Sequence, residues 1–273
     1  MMLMDQKHEV ELIQGTRFEF GANWLHFLNV LDDNRIDQAV ASLTAMLGVT
    51  DLKGKRFLDA GSGSGLFSLA ARRLGASVHS FDFDPKSVAC TQELRRRYFP
   101  DDSAWTVEEA SVLDSDYLGR LSQFDVVYSW GVLHHTGSMW QALENVDALV
   151  KEGGRLFISI YNDQGWASRY WNTVKRTYVR YPLIRWPLLL FHMPYLIFPS
   201  FVVRLMKGLV TQDRGMSLWY DLLDWIGGYP FEVAKPEAIF RFYRDKGLTL
   251  CEMKITSRLG CNEFVFMRKA HAR

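Results

Sequence analysis

The sequence predicts an α/β fold: a doubly wound, mostly parallel seven-stranded sheet with helices on both faces, a helical cap before it and a helical lid inserted late in the chain. Three observations predict it. Short apolar runs alternate with segments of helical periodicity from Arg56 to Tyr161. A glycine-rich turn, Gly61-Ser62-Gly63-Ser64-Gly65, separates the first such run from the first such helix. An acidic residue, Asp82, closes the next run about 20 residues later, where this kind of fold presents a carboxylate to a ligand.

Within residues 16–48, Trp24, Leu25, Phe27, Leu28 and Leu31 lie near helical spacing. So do Ile36, Ala39, Val40, Leu43 and Leu47, with Gly48 as the stop. Residues 1–50 are therefore expected to form the cap. The core, 51–161, opens with a strand at Arg56–Ala60 and a helix at Leu66–Leu74 closed by Gly75. A strand at Ser77–Phe81 follows, then a helix at Pro85–Tyr98 with proline at its start. Further strands are expected at Trp105–Ala110 and Phe124–Ser129, then a helix over Ser138–Val150 ended by Gly153 and Gly154, and a fifth strand at Arg155–Tyr161. The rhythm breaks over 162–232, the expected lid. It resumes in 233–273 with a helix at Pro236–Lys246, stopped by Gly247, and two strands, Leu248–Ile255 and Glu263–Met267.

A chain of 273 residues accommodates one large domain with an insertion. Its net charge of +1 gives no reason to expect a nucleic-acid surface and leaves room only for a local basic patch. Cys90, Cys251 and Cys261 are odd in number, far apart and form no CxxC pair, which points to reduced thiols and to no zinc or other metal site. Met1–Glu11, with Asp5, Lys7, His8, Glu9 and Glu11, lacks the apolar run of a signal peptide, so a cytoplasmic location is expected.

Glycines between a strand and a helix let the backbone turn sharply and approach a ligand closely. The spacing here departs from the G-x-G-x-x-G of a dinucleotide fold: the third glycine comes one position early and Leu66 stands where the last would be. Asp59, just before the turn, is unsuited to a pyrophosphate and suited to a ligand carrying an ammonium group. Together these features predict against NAD and suit a ligand that carries an ammonium group and a ribose.

The segment Asp59-Ala60-Gly61-Ser62-Gly63-Ser64-Gly65 resembles the first motif of class I S-adenosylmethionine-dependent methyltransferases, and Ser80-Phe81-Asp82 resembles the second. Phe124-Asp125-Val126-Val127-Tyr128-Ser129-Trp130-Gly131-Val132-Leu133-His134-His135 is similar to the fourth-strand segment of the ubiquinone- and menaquinone-methyltransferase-like branch, and Gly153-Gly154-Arg155-Leu156 to the glycine pair before its fifth strand. The resemblance implies S-adenosyl-L-methionine as cofactor. It implies that Gly61, Ser62, Gly63 and Gly65 border its methionine part, that Asp59 holds the amino group and that Asp82 holds the ribose. Ser111 and Val112 would flank the adenine, with Ser129 also at the cofactor. Ser111 departs from the acidic residue common at its position, which leaves backbone groups or Asp114 for the adenine. Asp84 is the rival of Asp82 for the ribose.

Methyl transfer asks the protein mainly to align nucleophile, methyl carbon and sulfur and to exclude water. His134 and His135 follow the fourth strand at the carboxyl edge of the sheet and are candidate bases, or else packing and loop-capping residues. No Asn/Asp-Pro-Pro-Tyr segment follows this strand. In the lid, Asp221 and Asp224 lie three apart among Trp219, Tyr220, Trp225 and Tyr229. Aromatic faces beside carboxylates suit a cation, so an amine acceptor is favoured: a protein lysine on a flexible segment, or a small amine. The same pattern also suits a packed aromatic helix with a solvated acidic edge. The branch resemblance implies instead O-methylation of a small phenol, quinone precursor or sugar. A third possibility is a protein that binds the cofactor without turnover. Trp186–Val203 carries no Asp, Glu, Lys or Arg, but Pro187, Pro194 and Pro199 interrupt it. A buried or lid helix pair is expected there rather than a spanning helix, with shallow membrane contact through 186–203 as the alternative.

Overall fold

A computed structural model describes residues 2–21, 27–28, 31–194, 223, 225–257 and 259–270. Its helices are α1 (Met2–Ile13), α2 (Asp33–Leu47), α3 (Leu66–Arg73), α4 (Pro85–Tyr98), α5 (Ser115–Leu118), α6 (Met139–Ala148), α7 (Trp166–Arg180) and α8 (Pro236–Asp245). Its strands are β1 (Arg56–Ala60), β2 (Ser77–Asp82), β3 (Trp105–Glu109), β4 (Phe124–Trp130), β5 (Val150–Tyr161), β6 (Leu248–Lys254) and β7 (Cys261–Arg268). They form one seven-stranded sheet in the order β3-β2-β1-β4-β5-β7-β6. The first five strands run parallel, and β7 lies antiparallel to both β5 and β6.

Strand β1 shows why its sequence is a nearly continuous apolar run. Phe57 and Leu58 are both fully buried, Phe57 against α2, α3 and α4 and Leu58 in the cluster that holds α6 and α8. Successive side chains of a strand point to opposite faces, so a central strand covered on both sides needs apolar residues at consecutive positions. Chain order reverses between β1 and β4, and the crevice at their carboxyl ends is where a doubly wound sheet takes its ligand.

The helix boundaries follow local chemistry. Asp32 caps α2 by accepting the Arg35 amide at 2.9 Å, and Gly48 ends it with a left-handed φ of 60°. Asp84 caps α4, with Pro85 in the first turn.

Three features differ from expectation. Helix α1 lies in a segment whose charges obscure any apolar stripe. Asp114, offered in the sequence for the adenine, caps the short α5 by accepting the Tyr117 amide at 3.0 Å on one carboxylate oxygen. Gly153 and Gly154 do not end a helix. The pairing of β4 with β5 jumps from Phe124↔Val150 to Val126↔Arg155, and the glycines sit in the resulting bulge. A Cβ on Gly154 would stand 2.8 Å from the Lys151 carbonyl oxygen.

Between Tyr161 and Pro236 the described chain forms α7, a 3-10 turn at Pro182–Ile184, and a helical segment over residues 185–194. The segment folds back along α7: Tyr170 Oη meets His192 Nε2 at 2.7 Å, and Arg185 Nε donates to the Tyr178 carbonyl at 3.0 Å. Trp171, Val174, Tyr178, Leu189, Ile226 and Phe231 share one buried cluster inside this unit. Pro187 falls in the first turn of its helix, where a missing amide hydrogen costs nothing. Among the described residues no helix is long and apolar enough to cross a membrane. Asp221, Asp224, Trp219, Tyr220, Trp24, Leu25 and residues 195–203 lie outside the described residues.

Candidate active site

A cleft of about 550 Å³ opens at the carboxyl ends of β1, β2 and β4. Its floor is the glycine turn. Gly61, Gly63 and Gly65 hold φ of 86°, 53° and 78°, a region that residues with a Cβ rarely adopt. The amides of Gly61 and Ser62 both donate to the Phe81 carbonyl, at 2.8 and 3.0 Å, tying the turn to the end of β2. A Cβ on Gly61 would stand 2.4 Å from Val132, and one on Gly65 would stand 2.8 Å from Thr91. The glycines thus have separate tasks. Gly61 makes room for the β4 loop, and Gly65 lets α3 approach α4. Gly61, Ser62 and Gly63 line the cleft, whereas Gly65 lies behind it.

Two carboxylates with raised pKa values face this cleft, Asp59 fully buried and Asp82 half-buried. Asp59 accepts the Ser68 hydroxyl at 2.5 Å. Burial raises its pKa to about 7, against the opposing pull of that hydrogen bond. Asp82 accepts the Asp84 amide at 2.9 Å on one oxygen and the Gly63 amide at 2.8 Å on the other. Burial again dominates and raises it to about 6. Asp84 is engaged elsewhere, accepting the Lys86 and Gly21 amides, each at 2.8 Å, with His8 Nε2 at 3.7 Å. Ser111 and Val112 also line the cleft, the Ser111 hydroxyl accepting the Leu113 amide at 3.1 Å. Ser129 does not. It is fully buried and donates to the Ala60 carbonyl at 2.7 Å, which fastens β4 to the start of the turn.

Beneath Asp59 runs a chain of buried donors. Trp105 Nε1 donates to Ser80 Oγ at 2.9 Å, Ser80 and Ser68 share a hydrogen bond at 2.7 Å, and Ser68 donates to Asp59. The network fixes the carboxyl from below and leaves its other side toward the cleft.

The far end of the cleft is aromatic, bounded by Phe18, Phe20, Tyr161 and Trp225. The two histidines part company there. His134 is fully buried outside the cleft wall, with its ring 4.1 Å from that of Tyr161, and burial holds its pKa well below the ordinary imidazole value. It is a packing residue. His135 lines the cleft, and its Nδ1 donates to the Pro230 carbonyl at 2.6 Å. That bond sets the tautomer and leaves Nε2 as the nitrogen available to a ligand. Burial lowers its pKa to about 3, so the ring is neutral.

Two cations missed in the sequence stand beside His135. Arg17 donates to the His135 carbonyl at 3.2 Å, pairs with Glu11 at 2.6 Å and lies over the Phe83 ring at 4.8 Å. Lys175, fully buried, donates to the Trp225 carbonyl and faces the rings of Trp225, Phe231 and Tyr161 at 4.6, 4.9 and 5.9 Å. Trp225 was expected to hold an acceptor cation, and the cation it faces is the protein's own lysine. A signal for this was present: Trp171, Val174, Lys175 and Tyr178 share one helical face, so the lysine sits in an apolar stripe. Among the described residues no His, Cys, Asp and Glu cluster could hold a metal ion.

The donor set fits S-adenosyl-L-methionine. Two carboxyls with raised pKa values, Asp59 and Asp82, face a cavity, and a ligand bringing positive charge and hydroxyl donors would return them to the ionised form. Comparisons with known proteins agree. Residues 32–197 match a family described as a methyltransferase domain. A tRNA U34 carboxymethyltransferase of Methylococcus capsulatus is 33% identical over 44% of this chain and 36% of its own length. The same enzyme of Pseudomonas savastanoi pv. phaseolicola is 41% identical over 38% of this chain and 32% of its own. The chain thus spans about a third of the length of the curated relatives it matches. Among solved structures, the magnesium protoporphyrin IX methyltransferase of Synechocystis PCC 6803 with bound SAH aligns over 86% of this chain and 82% of its own, with a TM-score of 0.52 at 18% identity. That likeness bears on the fold.

Proposed function

The chain belongs to the methyltransferase-domain family and is an S-adenosylmethionine-dependent methyltransferase; from that premise we propose that it methylates a hydroxyl oxygen of a small, flat, uncharged acceptor. The observation that carries this is the aromatic end of the cleft, walled by Phe18, Phe20, Tyr161 and Trp225 with the neutral imidazole of His135 among them. Arg17 at that end is paired with Glu11 at 2.6 Å, and Lys175 is buried against Tyr161 and Trp225, so both cations are engaged within the protein, and Glu263 also lines the cleft. A flat acceptor packs between such walls, where its hydroxyl meets an imidazole nitrogen rather than a charged group. Asp221 and Asp224, which favoured an amine, lie outside the described residues.

The cofactor supplies a methyl group already activated on a sulfonium. The residues do the rest. Asp59 holds the amino group, Asp82 the ribose hydroxyls, and Ser111 and Val112 border the adenine. His135 Nε2, neutral and fixed by Pro230, accepts a hydrogen bond from the acceptor's hydroxyl, orients its oxygen, and takes the proton as the oxygen–methyl bond forms and the methyl–sulfur bond breaks. The aromatic walls exclude water. The curated relatives bring a second acceptor, tRNA, on a match over about a third of their length.

Incubating the protein with methyl-tritiated cofactor and cell extract separates the readings. Label in a small solvent-extractable product is the expected result. Label in tRNA or in a protein band would replace the acceptor assignment, and no transfer to any fraction would refute it.

A further inference from the structure

We propose that the outer face of the hairpin formed by α7 and residues 185–194 docks on an anionic phospholipid bilayer. The two helices bury their inner sides in one cluster, so their outer sides turn away from the protein together. That outer surface is strongly apolar: Leu183 is 94% exposed, Phe191 75%, Trp166 72% and Leu190 64%. Contact between Tyr170 and His192 places the start of α7 beside the end of the second helix, so Trp166 and Phe191 belong to one patch. Contiguous exposed apolar surface of this kind marks a contact site.

The charge around it selects the partner. Arg169, Arg176 and Arg180 are exposed along α7. Residues 164–212 contain seven Lys or Arg and no Asp or Glu, which leaves the remainder of the chain at net −6 against a total of +1. An apolar face with a one-signed basic border is the pattern of a helix lying in the headgroup region of an acidic membrane. An RNA would satisfy the arginines but has no use for the exposed aliphatic side chains of Leu183 and Leu190, since single-stranded nucleic acid stacks on aromatic faces. No described helix is long and apolar enough to span, so the contact is peripheral.

Sedimentation of the full chain with vesicles tests this. With phosphatidylglycerol–phosphatidylcholine vesicles the protein is expected to co-sediment, with release at high salt and little binding to phosphatidylcholine alone. The triple substitution Leu183→Ser, Leu190→Ser and Phe191→Ser should lower partitioning at least tenfold with calorimetric cofactor binding intact. If that variant fails to bind cofactor, Arg176→Gln with Arg180→Gln decides, by the same loss of partitioning. Equal binding to both vesicle types, no binding to either, or retention of tRNA without vesicle binding would each overturn the proposal.

Discussion

Ser68 donates its hydroxyl to Asp59 at 2.5 Å, from the first turn of α3 back to the last residues of β1. The glycine turn is thereby closed by a side-chain clasp as well as by its backbone. Ser68→Ala removes a hydrogen bond to the ionised carboxyl and should weaken cofactor binding by about 1–2 kcal/mol, roughly five- to thirtyfold. Calorimetric titration reads this directly, and an unchanged affinity would remove Asp59 from the binding assignment.

The raised pKa values of Asp59, about 7, and Asp82, about 6, make the pH dependence specific. Binding a cation requires both carboxylates ionised, so binding releases protons below pH 7. Cofactor affinity should fall as pH drops through 7 and then 6, by about tenfold per pH unit for each group protonated. Stability of the free protein runs the other way. A carboxyl with a raised folded-state pKa binds more protons folded than unfolded, so the apo melting temperature should decline as pH rises from about 4 to 7. Saturating cofactor should abolish that decline. Melting curves at pH 5 and 8, with and without cofactor, check both signs.

Asp82 and Asp84 separate by readout. Asp82→Ala should cost about 2–3 kcal/mol of cofactor affinity with little loss of fold. Asp84→Ala removes the α4 cap and the anchor for Gly21, and should cost about 1–2 kcal/mol of stability. Denaturant melts and titrations on both variants distinguish them. A larger affinity loss in Asp84→Ala would reverse the assignment.

Gly61→Ala carries two penalties. The new methyl group would meet Val132, and a φ of 86° costs a residue with Cβ about 1–2 kcal/mol. Combining it with Val132→Ala removes the two methyl contacts at 2.4 and 2.5 Å but keeps the Cβ at 2.9 Å, so it should recover part of the steric loss and none of the backbone part. Full recovery of melting temperature would show that the left-handed backbone is not the constraint.

The cofactor half was legible because its signals are local. Gly61, Gly63 and Asp82 lie where a strand ends, and strand period, glycine and acid are read from a short window. The helices α2, α4 and α8 were legible for the same reason, through Ala39 and Leu43 or a leading Pro85 and Pro236. Arg17 and Lys175 were not, since each acts through partners more than 45 residues away, His135 |i−j| 118 and Trp225 |i−j| 50. Ser129 and His134 show the reverse error. Both sit in the right segment, yet strand and turn geometry point them into the interior, and a one-residue offset separates buried His134 from His135 in the cleft. Pro230, which fixes the His135 tautomer, gave no sign in sequence of where its carbonyl would lie.

The placing of β7 between β5 and β6 sets a timetable for biosynthesis. Strand β5 is complete at Tyr161, but the partner for its outer edge, Cys261–Arg268, emerges from the ribosome after every other strand. Throughout the intervening translation the nascent sheet presents an open edge containing Phe157, Ile158 and Ile160, an edge competent to pair with another chain. Only release of β7 seals it, so the aggregation-sensitive interval of this protein's synthesis spans the hundred or so residues that separate β5 from β7.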